Sequence, residues 1–225
     1  MALSTVIVAI FLGISFGRID ASPEFACDFE DGTMCSMNLV SAPINFTVAT
    51  GQTVVDKTLG PSYDHTFNTP SGHFLYWYRS AQITRVRVDG LIDVPAFLLQ
   101  PNMCLRFAYY INSISTPEKL TALGVTLIGC TKSLIWSTKI IDSNGWQIVD
   151  TRLPDTYCSA LLSFFVSSNA TAGVSVSLDD IVIDFCATTT TGPIGTTTGC
   201  GAVLHYSHFL LVLATGIFFL INTFL

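Results

Sequence analysis

The fold is decided by the stretch Val174-Ser-Val-Ser-Leu-Asp-Asp-Ile-Val-Ile-Asp-Phe185. Its first five residues alternate strictly between apolar and polar, as in a β-strand with one buried face. After the two aspartates the apolar residues take the opposite phase, at Ile181, Ile183 and Phe185. One extra residue in a strand exchanges its two faces. We therefore predict a β-bulge near Asp179-Asp180.

Short β-rich runs bounded by Gly, Pro, Asn and Ser recur between residues 27 and 186, whereas helical spacing is hard to find there. Many short strands of this kind favour an all-β protein with an antiparallel sandwich. The clearest runs, besides 174–178, are 74–78, 84–89, 104–111, 123–128, 134–136, 146–149 and 161–166.

Half of the 225 residues are apolar, but the excess lies at the two ends. Residues 1–21 hold 14 apolar residues and residues 200–225 hold 18. The part between them has an ordinary globular composition, and its length suits one domain. The net charge of −6 does not provide the basic surface that nucleic-acid binding needs. DNA and RNA are therefore not expected partners.

Residues 1–21 are predicted to be a secretory signal peptide that is removed. The uncharged apolar run from Thr5 to Phe16 has the length of a signal-peptide core and is short for a membrane span. Small residues suited to cleavage follow in Ser15-Phe16-Gly17 and Ile19-Asp20-Ala21. A buried N-terminal strand or helix is the alternative.

Residues 200–225 are predicted to be a GPI-attachment signal that is removed. Small residues at Gly199-Cys200-Gly201 precede a short spacer and the mostly apolar run 209–225, which no Lys or Arg follows. Gly199 is the expected attachment residue, and Cys200 and Gly195 are alternatives. The mature protein is thus expected on the extracellular face of the plasma membrane. A retained single membrane span is the competing interpretation.

Residues 187–199 contain seven Thr, three Gly, one Pro and no charge, a composition that cannot bury a core. We predict a stalk here, either O-glycosylated or an unmodified linker. Two N-glycosylation sequons, at Asn45 and Asn169, fit a secreted chain.

Seven cysteines would leave one thiol unpaired in an oxidising compartment. Loss of Cys200 with the tail leaves six, which allow 15 pairings on sequence alone. The six are Cys27, Cys35, Cys104, Cys130, Cys158 and Cys186. A zinc site is not expected, because the sequence has no tight C-x2-C pair.

The chain resembles the MAM domain family, named from meprin, neuropilin and receptor tyrosine phosphatase mu. The resemblance covers residues 27–186 and rests on four sequence islands in order. They are Cys27-Asp-Phe-Glu-Asp-Gly-Thr-Met-Cys35, then Asp64-His-Thr66 with Ser71-Gly-His-Phe74, then Cys104-Leu-Arg-Phe-Ala-Tyr-Tyr110, and finally Val176-Ser-Leu-Asp-Asp-Ile181 ending at Cys186.

The resemblance implies a jelly-roll β-sandwich with the disulfides Cys27–Cys35 and Cys104–Cys186. Cys130 and Cys158 are then left to pair with each other, in a bridge that is not a family feature. The tryptophan that is common between the first cysteine pair and the Asp-His-Thr motif is absent, and Phe46 is expected near that place.

Catalytic chemistry is not expected. The domain offers two histidines, His65 and His73, and no Ser or Cys nucleophile motif accompanies Asp64-His65. We interpret Asp64-His65 as part of a structural turn.

Several carboxylates lie on the family islands, and the resemblance implies a cation, often calcium, near such residues. Calcium takes six to eight oxygen ligands, so several carboxylates must converge. The predicted ligands are Glu30, Asp64 and Asp180. The alternative is that the same side chains cap turns and backbone N–H groups.

Two groups of side chains are candidate contact surfaces. One is the aromatic run Phe74, Tyr76, Trp77 and Tyr78, for which core packing is the default expectation and a contact surface is the alternative. The other is Arg85 and Arg87, which share one face of their predicted strand; a solvated face is the default expectation, and contact with an acidic partner or glycan is the alternative.

The resemblance implies cell-surface recognition or adhesion through protein–protein binding. The expected partner is a cell-surface or extracellular protein, including a second copy of this chain. The alternative is a secreted or shed ligand, or a coat protein, without an adhesive role.

Overall fold

The computed structural model of the protein describes residues 22–81, 88–113, 121–130, 132–139, 142–168 and 173–187. The chain divides into two compact units, Met1–Ala187 and Thr188–Leu225, and the second unit lies outside the described residues. The predictions for the signal peptide, for the stalk after Ala187, and for Arg85, Arg87, Asn169, Gly195, Gly199 and Cys200 also lie outside them.

Twelve strands form within these ranges, and no helix there is long and apolar enough to cross a membrane. Four strands that the sequence did not predict, β1, β2, β3 and β6, have only two to four residues each. The strands are β1 Phe25–Cys27, β2 Asn38–Leu39, β3 Thr47–Thr50, β4 His73–Arg79, β5 Val88–Asp93, β6 Phe97–Leu99, β7 Met103–Ser113, β8 Thr121–Ile128, β9 Ser133–Thr138, β10 Gln147–Arg152, β11 Cys158–Ser168 and β12 Val174–Phe185.

The strands form two six-stranded antiparallel sheets, which confirms the predicted jelly-roll sandwich. Sheet 1 has the order β10-β7-β12-β4-β3, with β1 also paired to β12. Sheet 2 has the order β2-β5-β11-β8-β9, with β6 also paired to β11. The longest strands, β7, β11 and β12, therefore lie inside the sheets, where both of their edges are paired.

Strand β12 contains the predicted bulge. Its pairing with β7 passes from Asp179 opposite Ala108 to Val182 opposite Arg106, so two residues of β12 oppose one of β7. Asp180 has a positive φ of 49° at this point. The bulge keeps apolar side chains directed inward on both sides of it. It also separates the part of β12 that pairs with β4 from the part that pairs with β1.

The main core lies between the two sheets. Phe107 from sheet 1 and Phe164 from sheet 2 meet edge to face at 5.2 Å between ring centroids, and Trp136 packs on Phe107 at the same distance. Phe46 is fully buried in this core, so the phenylalanine expected near the place of the missing tryptophan is a core residue.

The aromatic run of β4 is also buried, on both faces of the strand. Trp77 lies in the main core, where its Nε1 donates to the carbonyl oxygen of Ile44 at 3.1 Å. Phe74 and Tyr76 point to the other face and form a second, smaller core with Ala49 and Val54, against which Tyr78 packs. Core packing, the default expectation for this run, is therefore confirmed, and the alternative of a contact surface is wrong.

Three disulfides join the same pairs that were predicted. Cys27–Cys35 closes the segment after β1, and Cys104–Cys186 ties β7 to the end of β12. Cys130–Cys158 links the end of β8 to the start of β11 in sheet 2. Each sheet therefore has a covalent link of its own.

Candidate functional site

The long connection 51–72 between β3 and β4 lies over strands β4 and β12 on the outer face of sheet 1. Its residues Val54 and Leu59 are buried, and the carbonyl oxygen of Leu59 accepts a 2.6 Å hydrogen bond from the Ser175 hydroxyl on β12. Ser177 and Asp179, which point outward from the same strand, are fully buried as well. Polar residues of β12 are thus enclosed because a loop lies over them.

Asp64 holds the tip of this connection in shape. Its carboxylate is fully buried and accepts hydrogen bonds from the Phe67 N–H at 2.5 Å, from the Thr69 N–H at 2.7 Å and from the Thr69 hydroxyl. Although burial opposes ionisation, these hydrogen bonds lower the pKa of Asp64. A Cβ atom on Gly72 would lie 2.2 Å from the Asp64 carboxylate, so only glycine fits there.

The next two residues fasten the connection to the β12 bulge. The His65 N–H donates to Asp179 at 2.8 Å, and His65 Nδ1 lies 2.5 Å from the Asp180 carboxylate. The Thr66 hydroxyl donates to the other oxygen of Asp180 at 2.7 Å. The Asp-His-Thr motif therefore acts as a structural turn, and the bulge directs both aspartates toward it.

Asp179 is the most perturbed acid of this cluster. Burial raises its pKa to about 8, even though the backbone N–H groups of His65 and Asp180 donate to its carboxylate. The adjacent charge of Asp180 adds to the increase.

Glu30 fastens the first disulfide loop to the start of β4. Its carboxylate accepts a 3.1 Å hydrogen bond from the His73 N–H and lies 3.9 Å from His73 Nδ1. Burial, with a contribution from the charge of Asp64, raises the pKa of Glu30. Both histidines of the domain are thus placed beside carboxylates that hold loops on sheet 1.

The three predicted calcium ligands do not converge. Asp64 directs its oxygens to backbone N–H groups, Asp180 binds His65 and Thr66, and Glu30 holds His73. Among the described residues, no group of three or more His, Cys, Asp or Glu side chains is arranged to hold a metal ion. The arrangement does not fit the six to eight oxygens that calcium takes and corresponds to the alternative role of capping turns.

The sequence pattern of the MAM domain, meprin/A5/mu, matches residues 27–188. The chain belongs to the MAM family. MAM domains are extracellular, adhesion-type domains, and the three disulfides fit that location.

Two solved structures resemble this MAM domain in fold. The K1 cleaved adhesin domain of Lys-gingipain from Porphyromonas gingivalis W83 is 12% identical and has a TM-score of 0.51, over 72% of this chain and 98% of that one. TmCBM61, solved in complex with beta-1,4-galactotriose, is 12% identical and has a TM-score of 0.47, over 70% and 94% of the two chains. At these identities the likeness concerns the fold alone.

The outer face of sheet 2 differs from the covered face of sheet 1. Leu98, Ile128 and Leu134 point outward from β6, β8 and β9 and are 52%, 37% and 59% exposed. Three half-buried apolar side chains point outward on the same face: Leu161 lies opposite Ile128, and Phe165 and Leu91 lie opposite each other further along β11 and β5. We call these six outward apolar residues the open face.

The open face contains a shallow cavity of about 310 Å³. Strands β5, β8 and β11 form its floor, and its lining includes Leu91, Thr126, Lys132, Ser163 and Phe165. We call this cavity the sheet 2 groove. The groove was not predicted from the sequence, although β11 offers a signal: its paired apolar residues Leu161-Leu162 and Phe164-Phe165 place apolar side chains on both faces.

Replacing Asp64 by Ala tests the turn. The substitution leaves the Phe67 and Thr69 N–H groups without the carboxylate that now accepts their hydrogen bonds, so we expect Asp64→Ala to lower the free energy of unfolding by about 1–3 kcal/mol. Asp142→Ala is the matched control, because Asp142 is exposed and accepts a single local hydrogen bond, from the Asn144 N–H. Denaturant unfolding measures both, and an equal loss in the two variants would contradict the role of Asp64.

The pKa of Asp179 predicts a specific pH dependence of stability. Its pKa in the folded protein is about 8, whereas an unfolded Asp titrates near pH 4. The folded state therefore binds the proton more tightly, and this contribution to stability is lost as the pH rises from about 4 through 8. We expect the melting temperature to fall over that range, and to fall less steeply in Asp179→Asn. Equal slopes for the two proteins would contradict this.

Proposed function

We propose that this MAM protein is a GPI-anchored cell-surface protein that binds another surface or extracellular protein through the open face of sheet 2. The observation behind this proposal is that the two outer faces of the sandwich differ in which side chains are buried and which are exposed. The connection 51–72 encloses even polar side chains of β12 on sheet 1, whereas exposed leucine and isoleucine side chains lie on neighbouring strands of sheet 2.

The open face has the character of a binding surface. Single exposed apolar residues are common on proteins, but a contiguous apolar patch with polar surroundings marks an interaction site. Strands β6, β11, β8 and β9 carry Leu98, Leu161, Ile128 and Leu134 outward side by side. Covering them on a partner would remove apolar surface from water, which favours association.

The C-terminal sequence supports the anchor. Small residues around Gly199, a short spacer and an apolar tail are the parts of a GPI-attachment signal. Attachment at Gly199 would remove Cys200 and leave the six cysteines that form the three disulfides. The stalk of residues 187–199, at about 3.3–3.6 Å per residue, would raise the domain by up to about 45 Å.

A weak single contact is sufficient for this function. Many copies on one membrane raise the effective concentration of the second and later contacts, so avidity exceeds the affinity of one domain. The proposal includes no catalytic activity, because Asp64, His65 and His73 serve to hold loops.

A two-colour cell-aggregation assay tests the proposal. Cells that express the full chain are mixed with non-expressing cells, and we expect clusters that contain expressing cells and disperse after phosphatidylinositol-specific phospholipase C. Mass spectrometry of the released protein is expected to show a C-terminus near residue 199. Clusters of expressing cells alone indicate binding between copies, and mixed clusters indicate a different partner.

The matched variants are Leu134→Lys on the open face and Ile148→Lys on the edge strand β10 of sheet 1. Both side chains are well exposed, at 59% and 70%, so neither change disturbs the core. We expect Leu134→Lys to abolish clustering and Ile148→Lys to preserve it. Absence of clustering with normal surface expression would contradict an adhesive role and favour a ligand or coat protein.

A further inference from the structure

We propose that the sheet 2 groove binds a neutral saccharide, as the glycan carried by the surface partner. This inference rests on the proposed function, because it names the ligand chemistry of the open face. It is carried by three features of the groove: its place on the sheet, its aromatic floor and its pair of opposite charges.

The groove lies on the face of sheet 2 and not along an edge. The backbone N–H and C=O groups of β5, β11 and β8 are engaged in antiparallel ladders under it. A peptide that adds to a sheet gains its affinity from main-chain hydrogen bonds at a free edge. The groove therefore contacts a ligand only through side chains, and such contacts suit a ligand that is rich in hydroxyl groups.

Phe165 provides an apolar floor. It pairs with Gly124 on β8 and with Leu91 on β5, so all three positions lie on the outer face of sheet 2. A Cβ atom on Gly124 would lie 2.4 Å from Cζ of Phe165, so the ring extends over the glycine across the neighbouring strand. An aromatic ring has a negative face, which attracts the C–H groups on one side of a sugar ring.

Polar groups surround this floor. The hydroxyls of Ser163 and Thr126 line the groove between the carboxylate of Asp89 and the ammonium group of Lys132. A carboxylate accepts hydrogen bonds, an ammonium group donates them, and a hydroxyl does both. Sugar hydroxyls also donate and accept, so they match all four side chains.

The charges favour a neutral ligand. A sulfated or phosphorylated ligand would meet the carboxylate of Asp89, and a polycation would meet Lys132. The cavity of about 310 Å³ is at the small end of ligand sites, which span roughly 300–1,000 Å³. This volume suits one or two sugar rings at the end of a glycan.

The test uses cells that display the full chain. They are stained with fluorescent polyacrylamide polymers that carry galactose, N-acetylglucosamine, mannose or sialic acid, and with the sugar-free polymer. The variants are Phe165→Leu, which removes the aromatic face but keeps apolar bulk, and Lys132→Gln, which removes the charge at an exposed position. Phe185→Leu is the matched control, because Phe185 is 47% exposed at the end of β12 in sheet 1.

We expect at least one neutral-sugar polymer to stain the cells, free sugar to compete, and the half-saturating concentration to rise at least about tenfold in Phe165→Leu and in Lys132→Gln. Phe185→Leu should bind like the unchanged chain. A surface epitope tag normalises expression, and if Phe165→Leu fails to reach the surface, Lys132→Gln decides.

Three results would overturn the inference. They are staining no stronger than the sugar-free polymer for every neutral sugar, staining that neither variant weakens, and staining by the sialic acid polymer alone. Clustering that persists after the partner cells have been treated with glycosidases would also overturn it, while leaving the proposed adhesive function intact. Loss of all clustering with normal surface expression would instead count against the proposed function itself.

Discussion

Asp180 occupies the bulge of β12 with a positive φ of 49°, and its carboxylate holds His65 and Thr66 of the covering connection. The same bulge returns Ile181 and Ile183 to the core after Leu178, so one long strand stays buried through both of its halves. Without the extra residue, the second half of β12 would turn its apolar face outward. The sandwich core and the attachment of connection 51–72 to sheet 1 therefore both depend on the β-bulge in β12.

The cover makes the two sides of the domain unequal. On sheet 1, the Asp64 carboxylate shapes connection 51–72 by accepting the Phe67 N–H. The carboxylates of Asp179 and Asp180 accept hydrogen bonds from His65 and Thr66 of the same connection. All three carboxylates therefore serve to hold one loop in place. On sheet 2, apolar side chains remain accessible around a groove. Our proposal therefore places recognition on sheet 2, the side of the domain opposite the Asp-His-Thr motif.

The sequence predicted those features that depend on local pattern. The phase change in β12 predicted the bulge, and the alternating runs predicted the antiparallel sandwich. The short strands β1, β2, β3 and β6 were missed, because two to four residues carry no periodic signal. Their positions depend on the longer strands beside them.

The outer face that carries a cover could not be predicted, because this depends on where a loop distant in sequence packs. Ser175 and Ser177 are polar yet fully buried, whereas Leu98 and Leu134 are apolar yet exposed. The aromatic run of β4 was ambiguous for the same reason, because the burial of its outward side chains depends on their packing against the connection 51–72. The calcium prediction treated carboxylates as converging ligands, but each of them has a turn or a backbone N–H group to bind.

The most direct measurement places an N-linked glycan on each side of the domain and measures cell aggregation. Leu161→Asn creates an N-x-S sequon with Ser163 on the open face. Asp31→Asn creates an N-x-T sequon with Thr33 at an exposed position in the first disulfide loop, beside sheet 1. A gel shift that a glycosidase reverses verifies each glycan. We expect the glycan at position 161 to abolish aggregation and the glycan at position 31 to preserve it. Preserved aggregation with a glycan at position 161 would contradict recognition through the open face.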